Sequence, residues 1–214
     1  MRPSIRSAIA VSLAAGLASA AQGEEAKSSK GFERSGVIVD LHAFFTAIDK
    51  DEQAAEHAHQ GIAGRALVTE EGLYAFLETP HNTQALEGTE HGSVVRIKGR
   101  VIEEGALLHV DKLEKINKVP LIDFARFRSD PGQQVVLKGV NKCQCGLDVG
   151  DLPHSCQLGH LHHLEAENGR IYHYLPSEAG TDAFLGRESH FKPVEISGRV
   201  LPGNFLLVEA LKVD

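Results

Sequence analysis

Short runs of alternating apolar and polar residues, each closed by a turn signal, recur along most of the chain. Val95-Arg96-Ile97-Lys98-Gly99-Arg100-Val101 and Val194-Glu195-Ile196-Ser197-Gly198-Arg199-Val200 carry the period of two expected of a half-buried strand. Each is followed by a turn, Glu104-Gly105 or Pro202-Gly203-Asn204, and a second apolar run, Leu107 to Val110 or Phe205 to Val208. Upstream, Leu73-Tyr74-Ala75-Phe76-Leu77 matches Ile171-Tyr172-His173-Tyr174-Leu175, and each follows a hairpin signal, Glu71-Gly72 or Asn168-Gly169. Further back, Val37-Ile38-Val39 is set against Val135-Val136-Leu137. Four matched segments in one order describe two copies of one unit.

Within each copy the order is strand, long loop, strand, turn, strand, short helical piece, strand, turn, strand. The helical pieces are residues 82–86 and 181–185. Five strands with a helix between the third and fourth resemble the OB-fold, a partly open barrel. The expected fold is therefore all-β: two tandem five-stranded OB-like barrels over residues 36–112 and 135–214, joined by a linker at 113–134. A β-sandwich is the rival. Gly99 and Gly198 stand mid-strand, where a barrel bends or bulges. Phe124 and Phe127 in the linker are placed to dock one copy on the other. Ala43 to His59 is loosely helical in its spacing and could pack over the first barrel's mouth.

Charge and targeting narrow the function. The formal net charge of −7 and the lack of any Lys/Arg block argue against nucleic acid or an anionic membrane as partner. Arg2 and Arg6, the apolar run Ala8–Ala18 and Ala18-Ser19-Ala20 read as a signal peptide over residues 1–20. The run is too short to span a bilayer, so no membrane span is expected in the mature protein. Residues 21–35 read as a polar leader. The expected location is periplasmic or secreted, where thiols are oxidised or held by metal.

All three cysteines and a crowd of histidines fall in copy two: Cys143, Cys145, His154, Cys156, His160, His162 and His163, with His173 later. Cys143 and Cys145 leave the first strand, and Cys156 sits where the loop returns to the second. Thiolates with imidazole suit Zn(II) or Cu(I). Cys143, Cys145, Cys156 and His160 form the candidate cage, with His154 and His162 as further candidates. The pattern of a Cys pair with Leu147, then Cys156, Asn168-Gly169, Tyr174-Leu175 and Ile196-Gly198-Val200, resembles a family of small secreted bacterial domains of unknown function. That family tends to have Cys-x-x-Cys where this chain has Cys-x-Cys, which weakens a thioredoxin-like reading. His173 shares parity with Ile171 and Leu175 and reads as a core histidine. His163 points away from His162. His57-Ala58-His59 in copy one reads as a solvated loop, and His42, His81, His91, His109 and His190 carry no motif.

No Walker loop, dinucleotide fingerprint, nucleophile elbow or zincin helix is present, so no enzyme class is indicated. Tyr74, Phe76, Tyr172 and Tyr174 are candidates for lining a small groove. The expected function is exported metal binding, handling or sensing zinc or copper. The alternatives are a disulfide-stapled interaction module with an envelope protein partner, and a thiol redox protein.

Overall fold

The computed structural model describes residues 29–45, 64–128, 130–143, 162–175, 177, 180, 183 and 186–214. The predicted signal peptide, residues 46–63 with His57 and His59, and the 144–161 loop lie outside them. The fold is all-β, two closed five-stranded barrels in tandem. Barrel one comprises β1 (Ser29–Asp40), β2 (Arg65–Val68), β3 (Leu73–Phe76), β4 (Val94–Ile102) and β5 (Leu107–Lys115). Barrel two comprises β6 (Gln133–Cys143), β7 (His162–Ala166), β8 (Ile171–Tyr174), β9 (Lys192–Leu201) and β10 (Phe205–Val213). Around the first barrel the order is β1-β2-β3-β5-β4, and around the second β6-β7-β8-β10-β9. These are the same circuit. In both, the third and fifth strands run parallel and the other neighbours antiparallel.

The mid-strand glycines mark a repeated bulge. Gly99 pairs with Val110 and Lys98 with Lys112, so Asp111 is extra; Gly198 pairs with Val208 and Ser197 with Ala210, so Glu209 is extra. A Cβ at Gly99 would run into the His109 carbonyl oxygen, and one at Gly198 into that of Leu207.

Two expectations need correction. Residues 29–35 belong to β1, paired with β4 from Ser29↔Ile102 to Ser35↔Arg96, and are not a leader. Seven residues that are mostly polar still form a strand, because Phe32 alone among them is buried and the ladder hydrogen bonds are made by backbone. The first strands also match in a different register. Gly36 pairs with Val95 and Gly139 with Val194, so Gly36-Val37-Ile38-Val39 corresponds to Gly139-Val140-Asn141-Lys142, not to 135–137. Both glycines lie against the second strand, where a Cβ would meet the Val68 or Glu165 carbonyl oxygen. Close backbone approach sets the register, and an apolar triplet is a weaker marker of it.

In barrel one the piece between the third and fourth strands is a short helix, α2 (Pro80–Ala85), following α1 (Leu41–Phe44) in the chain. Thr79 caps α2 by accepting from the Asn82 N–H, and Pro80 begins it. Asn82 is fully buried; its amide donates to the Leu77 and Leu108 carbonyls and accepts from the Val110 N–H, fastening the helix across the barrel end. Of the matching piece in barrel two, 181–185, Ala183 alone is described, and it is buried.

Each barrel has its own interior, and a third core lies between them. Ile38, Leu67, Phe76, Ile97 and Leu108 fill barrel one. Leu164, Tyr172, Tyr174, Ile196 and Leu206 fill barrel two. The shared core takes the opposite face of the third strands: Leu73, Ala75 and Leu77 against Ile171 and Leu175, with Phe45, Phe205 and Phe127 of the linker helix α3 (Ala125–Arg128). The contact is reciprocal. The turn after β4 packs on β8, with the His173 Nε2–H donating to the Gly105 carbonyl (2.6 Å), and the turn after β9 packs against Leu73. Matching surfaces meet, as in a two-fold dimer interface. Phe76, Tyr172 and Tyr174 are 2%, 5% and 2% exposed, and Tyr74 is partly buried against Phe32, so all four pack with the barrel cores instead of lining a groove.

Candidate functional site at the mouth of barrel two

The 144–161 loop leaves barrel two at Cys143, the last residue of β6, and returns at His162, the first of β7. These two residues are register partners. Alternation along both strands turns them, with Asn141 and Leu164, to the barrel's inner side, and they are 2% and 4% exposed. A thiol and an imidazole therefore sit side by side at the root of the segment that carries the remaining cysteines.

Hydrogen bonds orient the imidazole. His162 Nδ1 lies 3.1 Å from the Ala183 carbonyl oxygen, an acceptor only, and 3.4 Å from Asn141 Nδ2, whose two hydrogens go to shorter bonds; Nδ1 therefore donates and the lone pair of the neutral ring is on Nε2. The Asn141 amide below donates to Ser189 Oγ (2.7 Å) and to the same Ala183 carbonyl (2.9 Å). A histidine held by a carbonyl at one nitrogen with the other bearing a lone pair is in the form metal ligands take.

A further ring completes the wall. His190 lies 4.8 Å from the His162 ring, centroid to centroid, and stacks on Phe191 at 4.5 Å and 22°. Phe191 is half-exposed and has φ +56°, a left-handed conformation costly for a bulky residue. Its N–H donates to the Asn141 carbonyl (2.7 Å). In barrel one Gly92 holds this place, at φ +88° with its N–H on the Ile38 carbonyl.

His91 and His190 are thus equivalent; neither carries a motif, and the sequence signal for them is their spacing of 99, the offset of the Gly99/Gly198 strand. Repeat one lacks the soft donors. Asp40 and Arg65 pair where Cys143 and His162 do. Asp40 caps α1 through the Ala43 N–H, and Arg65 donates to the Leu86 and Thr89 carbonyls.

The other face of β7 is a separate environment. His163 pairs with His173 across the strands, pointing away from His162 as expected. His163 is 1% exposed, and neither ring nitrogen has a hydrogen-bond partner among the described residues. Burial, then the neighbouring His173, pushes its pKa down to about 3; burial pushes His173 down to about 4 against the Gly105 hydrogen bond. Both rings are neutral at pH 7. Lys142 and Glu165 form a 2.9 Å ion pair on the same face.

Of the six predicted ligands, Cys143 and His162 are described and adjacent; Cys145, His154, Cys156 and His160 lie outside the described residues. Among the described residues no three His, Cys, Asp or Glu side chains are grouped so as to hold a metal ion, and no helix is long and apolar enough to cross a membrane. Compared with protein-family models, curated proteins and solved structures, the chain matches none. Its resemblance to OB-like barrels rests on strand order alone.

Proposed function

We propose that this is an exported protein that handles or senses a soft transition metal, Zn(II) or Cu(I), at the mouth of its second barrel. The observation that carries the reading is the buried Cys143–His162 pair, with His162 Nε2 left as the lone-pair nitrogen by the Ala183 carbonyl. Cys145 follows Cys143 by two positions and His160 precedes His162 by two. These two are the next donors of the proposed cage. Cys156 and His154 are the remaining candidates from the loop. Thiolate and imidazole donors select these ions over Mg(II) or Ca(II). Repeat one has no cysteine, and Asp40 and Arg65 stand where Cys143 and His162 do, which suits a single metal per chain.

Titration of the reduced full chain with Co(II), followed by its thiolate charge-transfer absorption, tests the proposal. A saturable band at one equivalent, lost in Cys143→Ser and weakened at least about tenfold in His162→Ala, is expected. No band in the reduced wild type, together with two of the three thiols blocked by a disulfide before reduction, would reject it in favour of a stapled module.

A further inference from the structure

A second recess, chemically unlike the first, lies on barrel one. It is a cavity of about 250 Å³ walled by Val37 and Val39 of β1, Ala43 and Phe44 of α1, the His91-Gly92 turn, and Phe124 and Arg128 of the linker. Its floor is apolar: Val37, Val39 and Phe44 are buried, and the Phe44 and Phe124 rings meet edge-on at 6.3 Å. The polar side chains in its lining are those of His91 and Arg128. His91 Nδ1 accepts the Asp40 N–H at 3.0 Å, so the neutral ring carries its proton on Nε2. The Arg128 guanidinium offers donors only, and no carboxylate among the described residues pairs with it. The nearby Asp40 carboxylate accepts at Oδ1 from the Ala43 N–H (3.0 Å), capping α1.

We propose that this recess binds a small monocarboxylate with an apolar, ring-sized body. The body rests on Val37, Val39, Phe44 and Phe124, and the carboxylate meets Arg128 and the His91 Nε2–H. The size agrees: an apolar cavity of about 150 Å³ holds one benzene ring, and this one has room for a ring and a short arm. A guanidinium at the edge of an apolar recess recognises a planar anion through paired, charge-assisted hydrogen bonds. The site is independent of the metal reading, because it uses neither repeat two nor a cysteine.

Isothermal titration of the full chain with 3-phenylpropionate tests the proposal, beside its neutral amide and beside propionate, which lacks the ring. The carboxylate should bind with a dissociation constant of about 1 mM or tighter, the amide about tenfold more weakly, and propionate not measurably. Arg128→Met should weaken the carboxylate about tenfold while leaving the amide unchanged. Ala43→Trp, at an exposed position on the rim, should abolish binding of both. Equal affinity for carboxylate and amide, undiminished binding in Ala43→Trp, or no heat at about 10 mM ligand would each overturn the proposal.

Discussion

Replacing His173 with glutamine tests the shared core through its proton balance. His173 is 7% exposed between the barrels, donates from Nε2 to Gly105 of the other barrel, and has its pKa pushed by burial from 6.5 down to about 4. The unfolded chain takes up a proton at this ring as pH falls through 6.5, whereas the folded chain resists until about pH 4. Stability carried by the neutral buried ring is therefore full above pH 6.5 and lost progressively below it. One proton is worth about 1.4 kcal/mol per pH unit, so the loss between 6.5 and 4 is about 3 kcal/mol. Glutamine keeps a donor for the Gly105 carbonyl and does not titrate. Urea unfolding of both proteins from pH 8 to pH 4.5, followed by circular dichroism, should show a constant stability difference above 6.5. Below it the wild type should lose ground to His173→Gln by about 1.4 kcal/mol per unit. A difference that stays flat over the whole range would mean that the folded ring protonates as readily as the unfolded one. The buried Gly105 contact would then be wrong.

Glu78 gives the opposite sign: burial raises its pKa from 4.5 to about 8, so the folded chain keeps a proton that the unfolded chain has lost, and stability falls as pH rises between these values. Glu78→Gln should remove that decline and gain on the wild type by as much as roughly 5 kcal/mol by pH 8.5, read from urea midpoints; parallel pH profiles would refute it. Gly198→Ala and Gly99→Ala place a methyl against a carbonyl oxygen at the same bulge, so each should cost more than about 2 kcal/mol in chemical denaturation. Silent substitutions would show that the bulge does not need glycine.

The repeat, the strand circuit and the bulge positions were legible in the sequence because each leaves a local mark. Period-two alternation, Gly-bearing turns and a mid-strand glycine all recur at offsets of 97 to 99. What escaped depends on partners distant in sequence. Residues 29–35 look like a leader until β4 is known to lie beside them. Apolar alternation could not show which face of β8 fills the barrel, since Ile171 and Leu175 are buried between barrels and Tyr172 and Tyr174 within one. At the site, Cys143 and His162 were visible as types. Their pairing follows from the Gly139-centred register, and the tautomer of His162 follows from a carbonyl 21 residues further on. His190 lacked a motif because its meaning lies in its equivalence to His91.

The metal content of the purified protein, measured with its reactive-thiol count, tests the central claim most directly. The account predicts about one zinc or copper ion per chain, protection of the thiols until a chelator is added, and loss of the metal in Cys143→Ser and His162→Ala. Metal-free protein that fails to take up either ion after reduction, or metal binding that both substitutions leave intact, would contradict it.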